Sequence, residues 1–190
     1  MTKFILKLVL MFFSYIALTY AAPTKLPGNI AVHIAKTHYL HPVRLLHPYL
    51  DVWHMKGPMA EKAAMTSLQK SFVNVNECTN DSEADIVLLL EPHMFFNPQL
   101  NVFHAEYIAR VYANDGKPIT RIKKQTEQAG SLNIAPDYYM YKGYTKAIDK
   151  VIEKLMVDQD FLALLDKNKP IKAGTICHNL DLQPLDKLYY

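Results

Sequence analysis

Hydrophobic and polar positions change period several times along the chain, and each change marks an element. Ile30, Val32 and Ile34 alternate with Ala31 and His33, which predicts a first strand over residues 29–35. No period holds from residue 36 to 56. Pro42 and Pro48 interrupt any helix there, so the expectation is a long irregular connection of the kind that often carries function. After Gly57-Pro58, Ala60, Ala64, Leu68 and Phe72 recur at i+4 with Met65 alongside, while Lys62, Thr66, Gln69 and Lys70 take the opposite side. Proline suits the first helical position, where its missing N–H has no intrahelical partner, and Glu61 favours the positive end of the helix.

Residues 76–83 are polar and read as a turn. The unbroken apolar run 86–90 predicts a central strand covered on both faces, ended by Glu91 and Pro92, with 95–98 turning the chain. Residues 102–113 alternate cleanly. Phe103, Ala105, Tyr107, Ala109 and Val111 point one way; His104, Glu106, Arg110 and Tyr112 point the other. Asn114-Asp115-Gly116 is a hairpin signal, because these residues tolerate positive φ. The return strand, 119–128, is polar enough to be a sheet edge. A last long helix starts at or beside Asp137, with Tyr144, Ala147, Ile148, Val151, Ile152 and Leu155 as its apolar stripe. Asp160 caps a short helix over 161–166, and residues 168–190 form a tail without period.

The order β-α-β-β-β-α predicts an α+β fold: a two-layer sandwich with a mixed, mostly antiparallel sheet and two helices on one face. The first strand–helix–strand unit predicts that its two strands lie parallel. Residues 1–21 read as a secretory signal. Lys3 and Lys7 supply the positive start, an apolar run of about 11 residues follows, and Thr19 and Ala21 stand at −3 and −1 of a cut after Ala21. Spanning a bilayer takes roughly 20 residues, so the run is short for an anchor. Residues 22–190 then form a single exported domain, in a periplasm or outside the cell, with no membrane contact beyond the export signal.

Composition excludes several classes. The chain of 190 residues is 50% hydrophobic and 21% charged, a globular balance rather than a disordered one. Its formal charge of +3 gives no basis for nucleic-acid binding, and much of that charge sits in the leader. The two cysteines, Cys78 and Cys177, are candidates for one disulfide in an oxidising compartment; two separate thiols are the alternative.

The helix start Gly57-Pro58…Ala60-Glu61-Lys62-Ala63, the segment Glu83-Ala84-Asp85-Ile86-Val87-Leu88 and the hairpin Val111-Tyr112-Ala113-Asn114-Asp115-Gly116-Lys117 carry a resemblance. Over residues 29–157 the chain resembles small α/β domains of bacterial envelope proteins, such as the lipoprotein activators of penicillin-binding proteins and the periplasmic part of the curli secretion lipoprotein. The resemblance implies a domain that docks on other proteins and performs no chemistry. The first cysteine is Cys78, so the lipid-attachment cysteine of those lipoproteins has no counterpart after Ala21.

Candidate chemistry concentrates before the first helix. His33, His38, His41, His47 and His54 fall within one short stretch, and His38-x-x-His41 brings two metal-ligating side chains close in sequence. Glu91, His93, His104 and Glu106 are an acid–base possibility on neighbouring strands. No nucleophile elbow, phosphate-binding loop, dinucleotide fingerprint or zinc-type cysteine pattern is present. Tyr39, Tyr49 and Trp53, with Tyr138, Tyr139 and Tyr141, are candidates for a partner surface or for rings that close the core. Asn80-Asp81-Ser82 fits a glycosylation sequon, relevant in a eukaryotic secretory route. The expectation is therefore an exported, non-enzymatic envelope protein without a cofactor, binding an unidentified envelope partner. A small metal-binding protein or hydrolase using 33–54, and a binder of a small apolar ligand between helices and sheet, are the alternatives.

Overall fold

The computed structural model describes residues 25–79, 81–165, 171–172 and 174–182; the expected leader and Asn80 of the sequon lie outside them. The elements run β1 (Leu26–His33), α1 (Lys36–Tyr39), β2 (Pro42–Leu46), β3 (Asp51–Met55), α2 (Lys56–Ser71), β4 (Phe72–Glu77), β5 (Glu83–Ala84), β6 (Ile86–Asn97), β7 (Val102–Ala113), β8 (Pro118–Ala129), α3 (Pro136–Leu155), α4 (Gln159–Leu165), β9 (Ile171–Lys172) and α5 (Gly174–Leu180). Five strands form one sheet in the order β4-β1-β6-β7-β8. β1 is parallel to both β4 and β6, whereas the long β6–β7 and β7–β8 ladders are antiparallel. This is the expected α+β sandwich, with the expected parallel crossover and with β8 at the edge.

The apolar alternation of β7 builds the principal core. Phe103, Ala105, Tyr107, Ala109 and Val111 are buried with Ile86, Leu88 and Leu90 of β6 against Ala64 and Leu68 of α2 and Ala147, Ile148 and Val151 of α3. Two polar groups in this layer are satisfied by backbone carbonyls. The Tyr107 hydroxyl donates to the Ala60 carbonyl at 2.7 Å, and the Thr126 hydroxyl donates to the Gly143 carbonyl at 3.0 Å. Gly143 has no side chain to hold α3 away: a Cβ there would meet that of Ala105 at 3.1 Å.

Several expectations are corrected. The connection 36–56 is not irregular; it holds the helical turn α1 and the β2–β3 hairpin. Pro42 opens a strand instead of breaking one, a position that needs no ladder donor. Phe72 does not continue the helical stripe. Its N–H closes α2 on the Leu68 carbonyl, and the chain then extends as β4, whose valines favour a strand beside β1. Pro92 does not end the central strand. β6 continues to Asn97, because β1 stops pairing with it at Leu89 and a residue without an N–H is tolerated where an edge is open. The turn comes later, where the Gln99 and Leu100 N–H groups donate to Asn97 Oδ1 at 3.0 and 3.2 Å.

The C-terminal segment, expected to be irregular, carries β9 and α5. Cys78 and Cys177 are bonded, with Cα atoms 5.7 Å apart. The bond holds α5 against the face of the sheet opposite α2 and α3, where Cys177 and Leu180 join Ala31, Ala35, Val87, Leu89 and Tyr112 in a second, smaller core. Asp181 adds contacts to His33 Nε2 at 3.0 Å and to the Lys36 N–H at 3.1 Å.

Candidate functional site

Strand alternation decides what the second face presents. Along β6, Val87 and Leu89 lie under α5, and the next outward residues are Glu91, His93 and Phe95. Across the ladder they stand opposite Ile108, Glu106 and His104 of β7, and these in turn opposite Lys123, Gln125 and Glu127 of β8. The face therefore passes from apolar to charged. Glu91, fully buried, pairs with Arg110 at 2.9 Å. Lys123 pairs with Glu106 at 3.0 Å.

The β2–β3 hairpin lies beside the second half of β6. Its inward side chains, Val43, Leu45 and His54, are buried; Arg44, Leu46 and Trp53 face away. Between that outward side and the charged end of the sheet runs a trough of about 900 Å³, walled by Pro42, Leu46 and Trp53 and floored by Phe95, His104 and Gln125. Lys56, the first residue of α2, belongs to its wall and is fully buried. Gly57 makes this approach of α2 to α1 possible, since a Cβ there would strike the Tyr39 backbone.

Burial controls the protonation of this region. Lys56 is pulled down to about 8 by desolvation of its ammonium. His38 is held at about 4, first by burial and then by the positive charges of Lys56 and neighbouring His93. His54 is also held at about 4 by burial, with Asp137 opposing the shift and Lys56 reinforcing it. His41 is lowered by burial and by Lys56. One ammonium thus helps to lower three imidazoles. His54 Nε2 lies 3.3 Å from the Tyr144 hydroxyl, itself buried and raised well above the usual phenol range by desolvation.

The histidines do not converge as ligands. His38 packs edge-on against His93 at 5.6 Å between ring centres, His33 contacts Asp181, and His47 accepts the Tyr49 N–H at 3.2 Å. Among the described residues no group of three or more His, Cys, Asp or Glu is placed to hold a metal ion. The neighbourhood of His38 and His41 is moreover positive, the wrong sign for a cation. Of the four acid–base candidates, His93, His104 and Glu106 line the trough, with Glu106 paired to Lys123, whereas Glu91 is engaged by Arg110 outside it.

The aromatic candidates divide. Tyr39 is half-buried and donates to Glu61 Oε2 at 3.1 Å; Tyr139 and Tyr141 pack on the principal core. Tyr49, Trp53 and Tyr138 are 91%, 60% and 53% exposed. The two groups, far apart in sequence, are linked by a run of rings: Tyr49–His47 at 6.1 Å, His47–Phe96 at 6.5 Å, Phe96–Phe103 at 4.7 Å, Phe103–Tyr139 at 6.1 Å and Tyr139–Tyr138 at 5.3 Å. Sequence reasoning missed Lys56 and the Glu91–Arg110 pair. For Glu91 the signal was its place at the end of the apolar run; for Lys56 there was none, because a lysine before a helix start ordinarily faces water.

No protein-family model matches the chain, and no curated protein matches it. Solved structures do. A Xanthomonas campestris protein of the DUF330 family superposes with a TM-score of 0.50 at 10% identity, over 80% of this chain and 94% of that one. A Caulobacter crescentus protein described as a lipoprotein gives 0.37 at 14%, over 75% and 93%. The PelC dodecamer from Paraburkholderia phytofirmans gives 0.41 at 14%, over 77% and 95%. The likeness to the Xanthomonas protein is one of fold.

Proposed function

We propose that this chain is an exported, non-enzymatic module that binds another protein of the cell envelope, using the aromatic end formed by the hairpin and the start of α3. The observation that carries the reading is the exposure of Tyr49 and Tyr138 at the two ends of one continuous run of rings. Leu40, Leu46 and Met55 are exposed on or beside the same hairpin. Tyrosine and tryptophan at a rigid, half-wet surface suit protein contact, since they offer large apolar area at little entropic cost. Export is supported by the leader pattern and by the disulfide, which belongs to oxidising compartments.

A photoreactive residue placed at position 49, at position 138 or, as a remote control, at position 150 on the wet side of α3 tests this in intact cells. The same discrete protein adduct is expected from 49 and 138, none from 150, and loss of the 138 adduct when Tyr49→Glu is added. Equal adducts from all three positions, or none from 49 and 138, would overturn the reading.

A further inference from the structure

The trough shares Leu46 and Trp53 with the hairpin, but positions 49 and 138 do not line it. Its volume, about 900 Å³, lies in the range of sites that enclose small organic ligands. Its charged groups are unequal. Arg44 is paired with Asp51 at 2.8 Å, and Lys123 with Glu106 at 3.0 Å. The Lys56 ammonium, fully buried, has no hydrogen-bond partner among the described residues. Burying an ammonium without a partner is costly, and the imidazoles it depresses, His38, His41 and His54, add no negative charge. The apolar part of the lining includes Pro42, Leu46, Trp53, Met94 and Phe95, and His93, Asn97, His104 and Gln125 belong to its polar part.

We propose that the trough binds an amphipathic organic anion, a single carboxylate on an unbranched apolar chain, with the carboxylate on Lys56 and the chain laid along Trp53, Leu46 and Phe95. One cation without a partner calls for a monoanion; the paired rim charges offer nothing further to a doubly charged headgroup. The flexible four-carbon stem of Lys56, already in the trough wall, brings its ammonium to the ligand. The aromatic and aliphatic wall takes the chain out of water.

Trp53 is the only tryptophan, so its emission reports occupancy directly. The purified protein is titrated with decanoate, decanol and decyltrimethylammonium. Decanoate should give a saturable shift of Trp53 emission, with the other two at least tenfold weaker. Lys56→Met should weaken decanoate at least tenfold, about 1.4 kcal/mol, and leave decanol unchanged. Phe95→Glu, at a half-exposed position, keeps the buried groups intact and places a carboxylate in the trough; it should weaken decanoate as much, and it stands in if the lysine variant does not fold. Decanol binding as tightly as decanoate, decanoate binding unchanged in folded Lys56→Met, or no saturable response to decanoate would each overturn the assignment. None of these outcomes bears on adducts from positions 49 and 138.

Discussion

The two faces of the central sheet obey different rules. The face under α2 and α3 is mostly hydrocarbon, with carbonyls receiving the hydroxyls of Tyr107 and Thr126. The opposite face is divided: an apolar zone under α5, then the Glu91–Arg110 pair, then the open trough beside Lys56. One set of strands makes both, because alternate residues of β6 and β7 belong to different faces. The difference shows where the molecule invests stability and where it tolerates a cost. The first face fixes the fold; the second carries groups that a folding argument alone would replace.

The sharpest way to break the division is to cut the disulfide. It is the one covalent link among the described residues between the second face and its cover, and it joins residues 99 apart. Closing a loop of about 100 residues is worth roughly 4.7 kcal/mol in the chain-entropy model. The double variant Cys78→Ser/Cys177→Ser should therefore lose about 4–5 kcal/mol in urea denaturation, and the wild type should lose as much under reducing conditions. A loss below about 1 kcal/mol would mean that Leu180 and Asp181 hold α5 without the bond.

Acid should affect the two regions unequally. His38 and His54 are held at about 4 in the folded chain against an ordinary 6.5. A depressed histidine contributes stability that is present above 6.5 and is lost as pH falls toward 4, since the unfolded chain binds protons first. Each should cost on the order of 2 kcal/mol between pH 7.5 and pH 5. His54→Phe should remove about half of that slope, measured by urea midpoints across the range; an unchanged slope would place the titrating groups elsewhere.

A smaller contrast comes from trimming each face. Leu88→Ala, on the helix-covered face, should cost about 3 kcal/mol, because the layer cannot close around the lost volume. Phe95→Ala, on the trough, should change stability by less than about 0.5 kcal/mol, as surface changes do. Equal losses would show that the trough is closed core.

These contrasts also mark how far the sequence could be read. The helix-covered face was legible residue by residue: the alternation of β7, the stripe of α3 and the run 86–90 are local patterns with one dominant period. The second face was not. The hairpin that walls its trough begins at Pro42 and turns around Pro48, so these prolines read as breaks. Its cover, α5, depends on a bond to Cys78, and no local period announces a distant crosslink. The aromatic candidates were legible as a class of residue, but their linkage through His47, Phe96 and Phe103 depends on tertiary arrangement. Lys56 is fully buried, which its place at a helix start does not announce.

One effect runs opposite to the others. Lys56→Met replaces a buried ammonium, pulled down to about 8, by an apolar chain of similar length. Removing such a charge is commonly neutral or stabilising, so the variant should gain about 1–3 kcal/mol at pH 7. The sign follows from linkage. The folded chain resists protonating this amine, so the wild type is penalised fully below pH 8 and the penalty fades as pH rises toward 10.5. The gain should therefore shrink between pH 8 and pH 10.5. The acid sensitivity due to His38 and His54 should weaken as well, since Lys56 contributes to depressing both. A stability gain paired with lost decanoate binding would identify Lys56 as a residue kept for its ligand at the expense of the fold; a loss of stability at pH 7 would show that its charge has a structural counterpart and that the two faces are built alike.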